Sequence, residues 1–163
     1  MNNVVEATIE IPMGTKNKYE IDKKTNRIKL NRVQYSSMTY PAEYGFIDET
    51  LELDDDPLDI LVLTSEPTFP GCIVDARVIG YLKTIDNGFL DNKIIAVNHV
   101  DPRFNEINNI KEIREHVLLE IKNFFQNYKT LQNIKVEVFE FYEKDEALKV
   151  ILECQKRYQE NLK

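Results

Sequence analysis

The order of segments along the chain predicts an α+β fold, a small closed, OB-like β-barrel with two main α-helices packed outside. Residues 5–97 consist of short strand-like segments separated by turn residues, and residues 110–162 contain two helix-like repeats around one further strand-like segment. Short strands followed by helices are typical of a barrel with helices on its outer surface. A chain of 163 residues can bury a core, and we expect one domain spanning residues 1–163.

The first three strands are predicted in residues 5–33, the first two of them by alternation of apolar and polar side chains. In residues 5–11 every second side chain is apolar, and Pro12 and Gly14 end the segment. Residues 18–22 alternate again, and a turn is expected at residues 23–26. Arg27–Val33 is then predicted to be the third strand.

The middle of the chain is predicted to consist of buried strands joined by loops. Pro41 and Gly45 favour a loop at residues 40–45, whereas the apolar residues 59–64 indicate a buried strand. A loop follows at residues 66–71, and residues 72–83 form one long strand or a bent pair. A turn at residues 86–88 then leads to a strand at residues 94–97.

Apolar residues later recur at intervals of three and four, which is typical of amphipathic helices. In the first helix they are Ile110, Ile113, Val117, Leu118, Ile121, Phe124, Phe125 and Tyr128. Asn109 and Glu112 are spaced for a capping box at its start. Residues 136–142 are strand-like, and the second helix carries Ala147, Ile151, Cys154, Tyr158 and Leu162. Its N-terminus is favoured by the acidic residues Glu143, Asp145 and Glu146.

Composition argues against several classes of function. The 28 acidic and 21 basic residues give a net charge of −7, which disfavours a broad surface for nucleic acid or anionic membranes. We therefore expect neither as a partner. No signal segment and no apolar run of membrane-spanning length is visible, so we expect a cytoplasmic location. Cys72 and Cys154 are too few for a disulfide framework and lack the spacing of metal ligands.

The strongest chemical signal is an acidic segment in front of a buried strand. Seven of the twelve residues 48–59 are acidic, and an apolar run follows directly. Such carboxylates repel one another unless a counter-charge is present, and a hard divalent cation prefers their oxygens. Asp54 and Asp56 would point the same way in extended chain, and a turn at Pro57 could bring Asp59 to the same ion. The alternative interpretation is a solvated acidic turn.

Three weaker clusters could complete a site for an anion. They are Asp86 and Asp91 with Lys93; Arg32 with Tyr40 and Tyr44; and Tyr128 with Lys129. Taken by itself, the cluster of Asp86, Asp91 and Lys93 is typical of a solvated turn. The tyrosines of the second could donate hydroxyl hydrogen bonds, or could be surface aromatics. The lysine of the third is favoured at a helix end by the dipole alone.

Other phosphate- and metal-binding motifs are absent from the sequence. A calcium EF-hand loop starting at Asp54 would need Gly at its sixth position and Glu at its twelfth, where Asp59 and Ser65 stand. There is no Walker P-loop, dinucleotide-binding glycine pattern or nucleophile elbow. His99 and His116 are too few for a histidine-rich zinc site.

The segment Asp54-Asp55-Asp56-Pro57-Leu58-Asp59 resembles the D-x-D-P-x-D signature of the family I soluble inorganic pyrophosphatases, in their prokaryotic short-chain form. Further segments resemble this family in the same order: Ile9 to Pro12, Lys18 to Asp22, Arg32 with Tyr40-Pro41 and Tyr44-Gly45, Asp86 with Asp91 and Lys93, and Phe124-Phe125 with Tyr128-Lys129. The sequence departs from the family at Asn98, where Pro is frequent, and the stretch before Ile9 is shorter than in many members.

The resemblance implies hydrolysis of pyrophosphate to two orthophosphates by a magnesium-activated water, in a multi-metal in-line phosphoryl transfer. It implies metal ligation by Glu10, Asp54, Asp59, Asp86 and Asp91. It assigns the attacking water to Asp56, with Tyr44 and Glu20 in support. It gives substrate binding to Lys18, Arg32, Tyr40, Lys93, Tyr128 and Lys129. Several Mg²⁺ ions per site are implied, with Mn²⁺ or Zn²⁺ as substitutes, and a homo-oligomer that is hexameric by family analogy.

The charges of these residues are consistent with metal-dependent chemistry. Seven carboxylates and four cations give the predicted pocket a net charge of −3. A tetra-anionic substrate would be strongly repelled from such a pocket. About three or four Mg²⁺ ions would bring the total close to neutral.

Two rival functions remain open from the sequence. A magnesium-dependent hydrolase of nucleotides or phosphate esters would need a base pocket that the sequence does not reveal. A non-enzymatic barrel for single-stranded nucleic acid would need a basic groove with stacking aromatics. The net charge of −7 and the carboxylates oppose the second function.

Overall fold

The computed structural model describes residues 2–163, and it confirms the predicted fold class, a closed β-barrel with two α-helices outside. The strands are β1 (Val4–Ile11), β2 (Asn17–Asp22), β3 (Arg27–Val33), β4 (Glu43–Ile47), β5 (Asp59–Leu63), β6 (Ile73–Asp86), β7 (Phe89–Leu90), β8 (Lys93–Asn98) and β9 (Val136–Glu143). The helices are α1 (Glu115–Asn127) and α2 (Lys144–Asn161).

Five strands form the barrel in the order β1, β4, β5, β8 and β6, and the pairing of β6 with β1 closes it. The β5–β8 pair is parallel and the other four pairs of the ring are antiparallel. Strand β6 is one continuous strand of 14 residues, which settles the choice between a long strand and a bent pair. Its far end also pairs with β7 and β9, and β2 with β3 forms a separate hairpin.

Both faces of the central barrel strands are buried, which explains their unbroken apolar runs. Leu61 and Ile95 belong to a core that includes Phe125 of α1. Their neighbours Ile60 and Ile94 belong to a second core, which includes Ala147, Ile151 and Cys154 of α2. Each helix therefore covers a different part of the barrel. Within residues 2–163 there is no helix with the length and apolar character needed to span a membrane.

The predicted loop at residues 40–45 is wrong in its second half, because residues from Glu43 onwards form β4. Gly45 is needed there because β1 passes very close to it. A Cβ atom at this position would lie 1.9 Å from the Thr8 carbonyl oxygen. The sequence signal for a turn thus marks a close approach of two paired strands, β1 and β4.

The start of the first helix also differs from the prediction. The capping box of Asn109 and Glu112 does form, but it caps a 3₁₀ turn at Ile110–Glu112. The backbone then extends through Ile113, with ψ of 139°, and Arg114, with ψ of 131°. Helix α1 therefore begins only at Glu115. The second helix begins as expected in the acidic cluster, with Glu143 and Glu146 forming a capping box.

Candidate active site

A cavity of about 690 Å³ is lined by one end of the barrel and by the β2–β3 hairpin. Of the fourteen residues predicted for the site, thirteen line it: Glu10, Lys18, Glu20, Arg32, Tyr44, Asp54, Asp56, Asp59, Asp86, Asp91, Lys93, Tyr128 and Lys129. They come from segments spread between β1 and the end of α1. The fold therefore collects nearly all of these side chains around one space.

The acidic loop, defined here as residues 48–58, carries Asp54 and Asp56 into the cavity in a tight turn. Its middle residue Asp55 has a φ of 68°, and the Asp56 N–H donates to Asp54 Oδ1 over 3.1 Å. The expectation that extended chain aligns the two carboxylates is therefore wrong. At the base of the loop, the Thr50 hydroxyl donates to the Ile47 carbonyl and accepts from the Leu58 N–H.

The centre of the site is a buried lysine between two carboxylates. Parallel pairing of β5 with β8 sets Asp59 opposite Lys93. The Lys93 Nζ donates to Asp59 Oδ2 at 2.5 Å and to Asp91 Oδ2 at 2.7 Å. Lys93 is 1% exposed. The Tyr44 hydroxyl also donates to Asp59 Oδ2, at 2.5 Å.

The pKa values of Asp59 and Asp91 are shifted in opposite directions. Burial alone would raise the pKa of Asp59, but the charge and hydrogen bond of Lys93, with the Tyr44 hydroxyl, outweigh it and lower that pKa. Burial, with repulsion from Asp59 and Asp86, raises the pKa of Asp91 to about 6 although Lys93 opposes the shift. Burial would lower the pKa of Lys93, yet the nearby Asp59 carboxylate raises it well above the ordinary value.

A second ion pair forms where the end of β6 meets the end of α1. Asp86 pairs with Lys129 and accepts a hydrogen bond from the Tyr128 hydroxyl at 3.3 Å. The Tyr128 ring packs against Phe124 and Phe125, with centroids 5.2 and 5.3 Å away. Aromatic packing on α1 thus fixes the hydroxyl that reaches Asp86.

The β2–β3 hairpin contributes two cations, Lys18 and Arg32, to the wall of the cavity. Lys18 and Arg32 are register partners in the β2–β3 pair. Lys18 Nζ lies 3.6 Å from Glu10 Oε2, while Arg32 is exposed and forms no ion pair within residues 2–163. The β1–β4 register shifts between Ile9 and Ile11, so Glu10 is the extra residue of a bulge. Burial raises the pKa of Glu10, and Lys18 partly offsets this.

Two residues of the hairpin and β4 region occupy less direct positions. Glu20 is exposed at the cavity wall and accepts a hydrogen bond from Asn31 Nδ2 at 3.2 Å. Tyr40 does not line the cavity. Its buried ring packs on Tyr44, with centroids 5.1 Å apart, and on Phe124, with centroids 4.5 Å apart. Tyr40 can thus act on the site only through its neighbour.

Glu52 is a site residue that the sequence analysis missed. It lines the cavity, is 6% exposed, and has its pKa raised to about 8 by burial and by repulsion from Asp91 and Asp59. The available signal was its place in the acidic segment 48–59. Its flanking leucines, Leu51 and Leu53, made it resemble the polar position of an ordinary amphipathic segment.

The donor set fits hard divalent cations, although no three acidic, histidine or cysteine side chains in residues 2–163 converge closely enough to hold an ion. The oxygens of Asp54, Asp56, Asp59 and Asp91 line one cavity. Burial raises the pKa of Asp56, and repulsion from Asp54 and Asp59 raises it further. A divalent cation among these oxygens would relieve that repulsion.

Comparison with known proteins gives consistent matches over nearly the whole chain. The sequence model of the inorganic pyrophosphatase family matches residues 7–159. The chain is 53% identical over 159 residues to the inorganic pyrophosphatase of Geobacillus stearothermophilus, covering 98% of this chain and 96% of that relative. Two solved structures are similar. The Thermus thermophilus inorganic pyrophosphatase has a TM-score of 0.91 and 41% identity, covering 96% of this chain and 92% of that chain. The Helicobacter pylori inorganic pyrophosphatase has a TM-score of 0.92 and 37% identity, covering 98% of this chain and 95% of that chain.

Proposed function

The chain belongs to the inorganic pyrophosphatase family and hydrolyses inorganic pyrophosphate to two orthophosphates, and we propose that the cavity between barrel and hairpin is its active site. One observation carries this proposal. Carboxylates and cations from distant segments line the same cavity, among them Asp54, Asp59 and Asp91 together with Lys18, Arg32 and Lys129. This is the arrangement that in-line phosphoryl transfer with metal ions requires.

We further propose that the cavity holds several Mg²⁺ ions, for which Mn²⁺ or Zn²⁺ can substitute. The ligands would be Asp54, Asp59 and Asp91, with Asp86 and Glu10 contributing further oxygens. Bound Mg²⁺ would neutralise phosphate oxygens and acidify the attacking water. The support is the hard oxygen donor set and the net negative charge of the predicted pocket.

Asp56 is the residue that accepts the proton of the attacking water. It lies in the exposed turn of the acidic loop, and among residues 2–163 it has no cationic partner within ion-pair distance. Partial desolvation in the cavity and repulsion from the neighbouring Asp54 and Asp59 raise its pKa, which makes it a better base than an ordinary aspartate. Tyr44 fixes the orientation of the Asp59 carboxylate by its hydrogen bond.

Two groups of cations bind the two phosphoryl groups. Arg32 is exposed on the hairpin and free of ion pairs in the described chain, so it is available to an anion. Lys129 and Tyr128 bind the same phosphoryl group as Arg32, and both contact Asp86. For Asp86 to ligate metal, Lys129 must exchange this carboxylate for a phosphoryl oxygen. Lys18 and Lys93, with Tyr44, bind or position the other phosphoryl group. Glu20 supports the network of site residues, and Tyr40 supports Tyr44.

The remaining expectations concern the whole protein. We propose a cytoplasmic enzyme built as one domain over residues 1–163, supported by the cores that barrel and helices share. We propose a homo-oligomer, hexameric by family analogy. Exposed large apolar side chains, among them Ile73, Val100 and Leu131, support subunit contacts. The mass measured by light scattering during size exclusion tests this state.

Phosphate release from pyrophosphate and from a nucleoside triphosphate, each with Mg²⁺, tests the function. We expect rapid release from pyrophosphate, much slower release from the nucleotide, and loss of both in excess EDTA. A preference for the nucleotide would favour the rival hydrolase, and undiminished turnover in EDTA would remove the metal from the proposal.

A further inference from the structure

The acidic loop is held from outside by the last helix of the chain. The Leu51 N–H donates to the Cys154 carbonyl at 3.0 Å, and the Leu51 carbonyl accepts from Arg157 Nη1 at 2.6 Å. Both backbone groups of Leu51 are therefore bonded to α2. The two partners are about 100 residues away along the chain, as the separation of 106 between Leu51 and Arg157 shows.

This attachment lies next to the part of the loop that enters the cavity. The following residue, Glu52, is buried against the cavity, and its N–H donates to the Asp56 carbonyl at 2.8 Å. One peptide therefore connects the helix contact to the turn that presents Asp54 and Asp56. Thr50 closes the base of the loop but leaves this turn to be held by other contacts.

The guanidinium of Arg157 is committed to this contact. Within residues 2–163 it has no carboxylate within ion-pair distance, and its other hydrogen bond goes to the Cys154 Sγ at 3.8 Å. A charged donor forms a stronger bond to a carbonyl than a neutral donor does. Arg157 therefore makes its one strong bond with the loop rather than within its own helix.

We propose that Arg157 is a positioning residue for pyrophosphate hydrolysis. It fixes Leu51 and thereby the acidic turn, so that Asp54 and Asp56 stay in place to hold metal and accept a proton. This inference rests on the proposed function of the cavity. It connects the end of α2, none of whose residues lines the cavity, to the loop proposed to bind metal.

Two variants and a control separate this role from a general effect on stability. Arg157→Met keeps much of the apolar stem and removes the donor, Arg157→Lys keeps a single charged donor, and Lys156→Met removes an exposed cation from the adjacent position. Hydrogen exchange of loop and barrel peptides is measured in metal-free protein. Calorimetric titration of Mn²⁺ and steady-state kinetics over a range of Mg²⁺ concentrations follow.

For Arg157→Met we expect loop exchange over residues 48–58 to accelerate about tenfold, while exchange in β5 and β8 stays as in the wild type. Mn²⁺ affinity should fall about tenfold, the usual scale for removing a group that orients ligands. The Mg²⁺ concentration for half-maximal rate should rise, with little change in the KM for pyrophosphate at saturating Mg²⁺. Arg157→Lys should recover part of each loss, and Lys156→Met should match the wild type.

Unchanged loop exchange in Arg157→Met would overturn the proposal, and so would faster exchange spread evenly over the barrel. If Arg157→Met does not fold, a third variant, Arg157→Gln, decides, because its shorter neutral amide removes the charged donor: wild-type loop exchange together with wild-type Mn²⁺ affinity in that variant contradicts the role. Failure of the proposed function would look different, because the wild type itself would then release no phosphate from pyrophosphate.

Discussion

Asp56 and Asp59 lie three residues apart but have different surroundings. Asp59 is fixed by Lys93 and the Tyr44 hydroxyl, and its pKa is lowered. Asp56 stands in the exposed turn with a raised pKa and has only other carboxylates as charged neighbours apart from Lys18. One carboxylate is thus suited to hold a cation and the other to accept a proton.

Asp56→Asn should lower kcat about a hundredfold or more, the range expected for losing a positioned acid–base group. Metal binding should be largely retained, because Asp54, Asp59 and Asp91 remain. Single-turnover hydrolysis measures the first effect and calorimetric titration of Mn²⁺ the second. Asp59→Asn is the matched variant and should weaken Mn²⁺ binding itself. Equal losses of affinity in both variants would make Asp56 one more ligand.

For single residues, the sequence identified which side chains line the cavity but not which of them contact one another. The acidic signature and the ordered segments picked thirteen residues that line the cavity. Sequence spacing could not show that Lys93 separates Asp59 from Asp91, because that contact depends on the strand register. Glu52 was missed because its burial depends on how the acidic loop folds back against the barrel.

Among the structural elements, β4 shows how closely strands approach near the site. Gly45 lies opposite the β1 bulge that turns Glu10 towards the cavity. Only the lack of a Cβ atom lets β1 pass at this distance. The element that was predicted as part of a loop thus determines where Glu10 stands.

Gly45→Ala should lower the free energy of unfolding by roughly 3 kcal/mol or more, because the methyl group would overlap backbone rather than a movable side chain. Gly88→Ala is the control. Gly88 has a φ of 85° and open space around it, so it should lose only about 1–2 kcal/mol for its backbone conformation. Chemical denaturation measures both. Equal losses of unfolding free energy in the two variants would show that the paired strands β1 and β4 can move apart easily.

Elements with a regular spacing of apolar residues were predicted with nearly correct bounds, whereas bounds that depend on tertiary packing were not. Alternation predicted a strand at residues 5–11, and β1 spans Val4–Ile11. The apolar repeat before α1 included Ile110 and Ile113, which are buried in the same core although neither is α-helical. A buried 3₁₀ turn and an extended pair can reproduce helical spacing, so periodicity could not locate the true start at Glu115.

For the molecule as a whole, the cavity concentrates acidic groups whose pKa values are raised. Burial and neighbouring carboxylates raise the pKa of Glu52 from 4.5 to about 8 and that of Asp91 from 3.8 to about 6. At any pH between the ordinary and the raised pKa of a carboxyl group, the folded state holds more protons than the unfolded state. The metal-free protein therefore loses stability as pH rises through this window.

In excess EDTA we expect the Tm to fall by roughly 5–10 °C between pH 5 and pH 8. Saturating Mg²⁺ should reduce this fall, because bound cations favour the ionised carboxylates. Glu52→Gln should flatten the metal-free profile, since it removes the group with the widest titration window. Thermal unfolding by circular dichroism provides the measurement. A wild-type Tm that rises with pH in EDTA would contradict the expected sign.

The parallel pairing of β5 with β8 also has a consequence for how the protein folds. Parallel strands cannot be joined by a tight hairpin, and Asp59 meets Lys93, which is 34 positions further along the chain, only after the intervening residues have been brought into place. Contacts of such separation form slowly, because the entropy of the intervening chain opposes them. Local hairpins can form while Asp59 still lacks its buried counter-ion, Lys93. During refolding, recovery of catalytic activity should therefore report the closing of the barrel, and partly folded chains should be inactive even when much of their secondary structure is present.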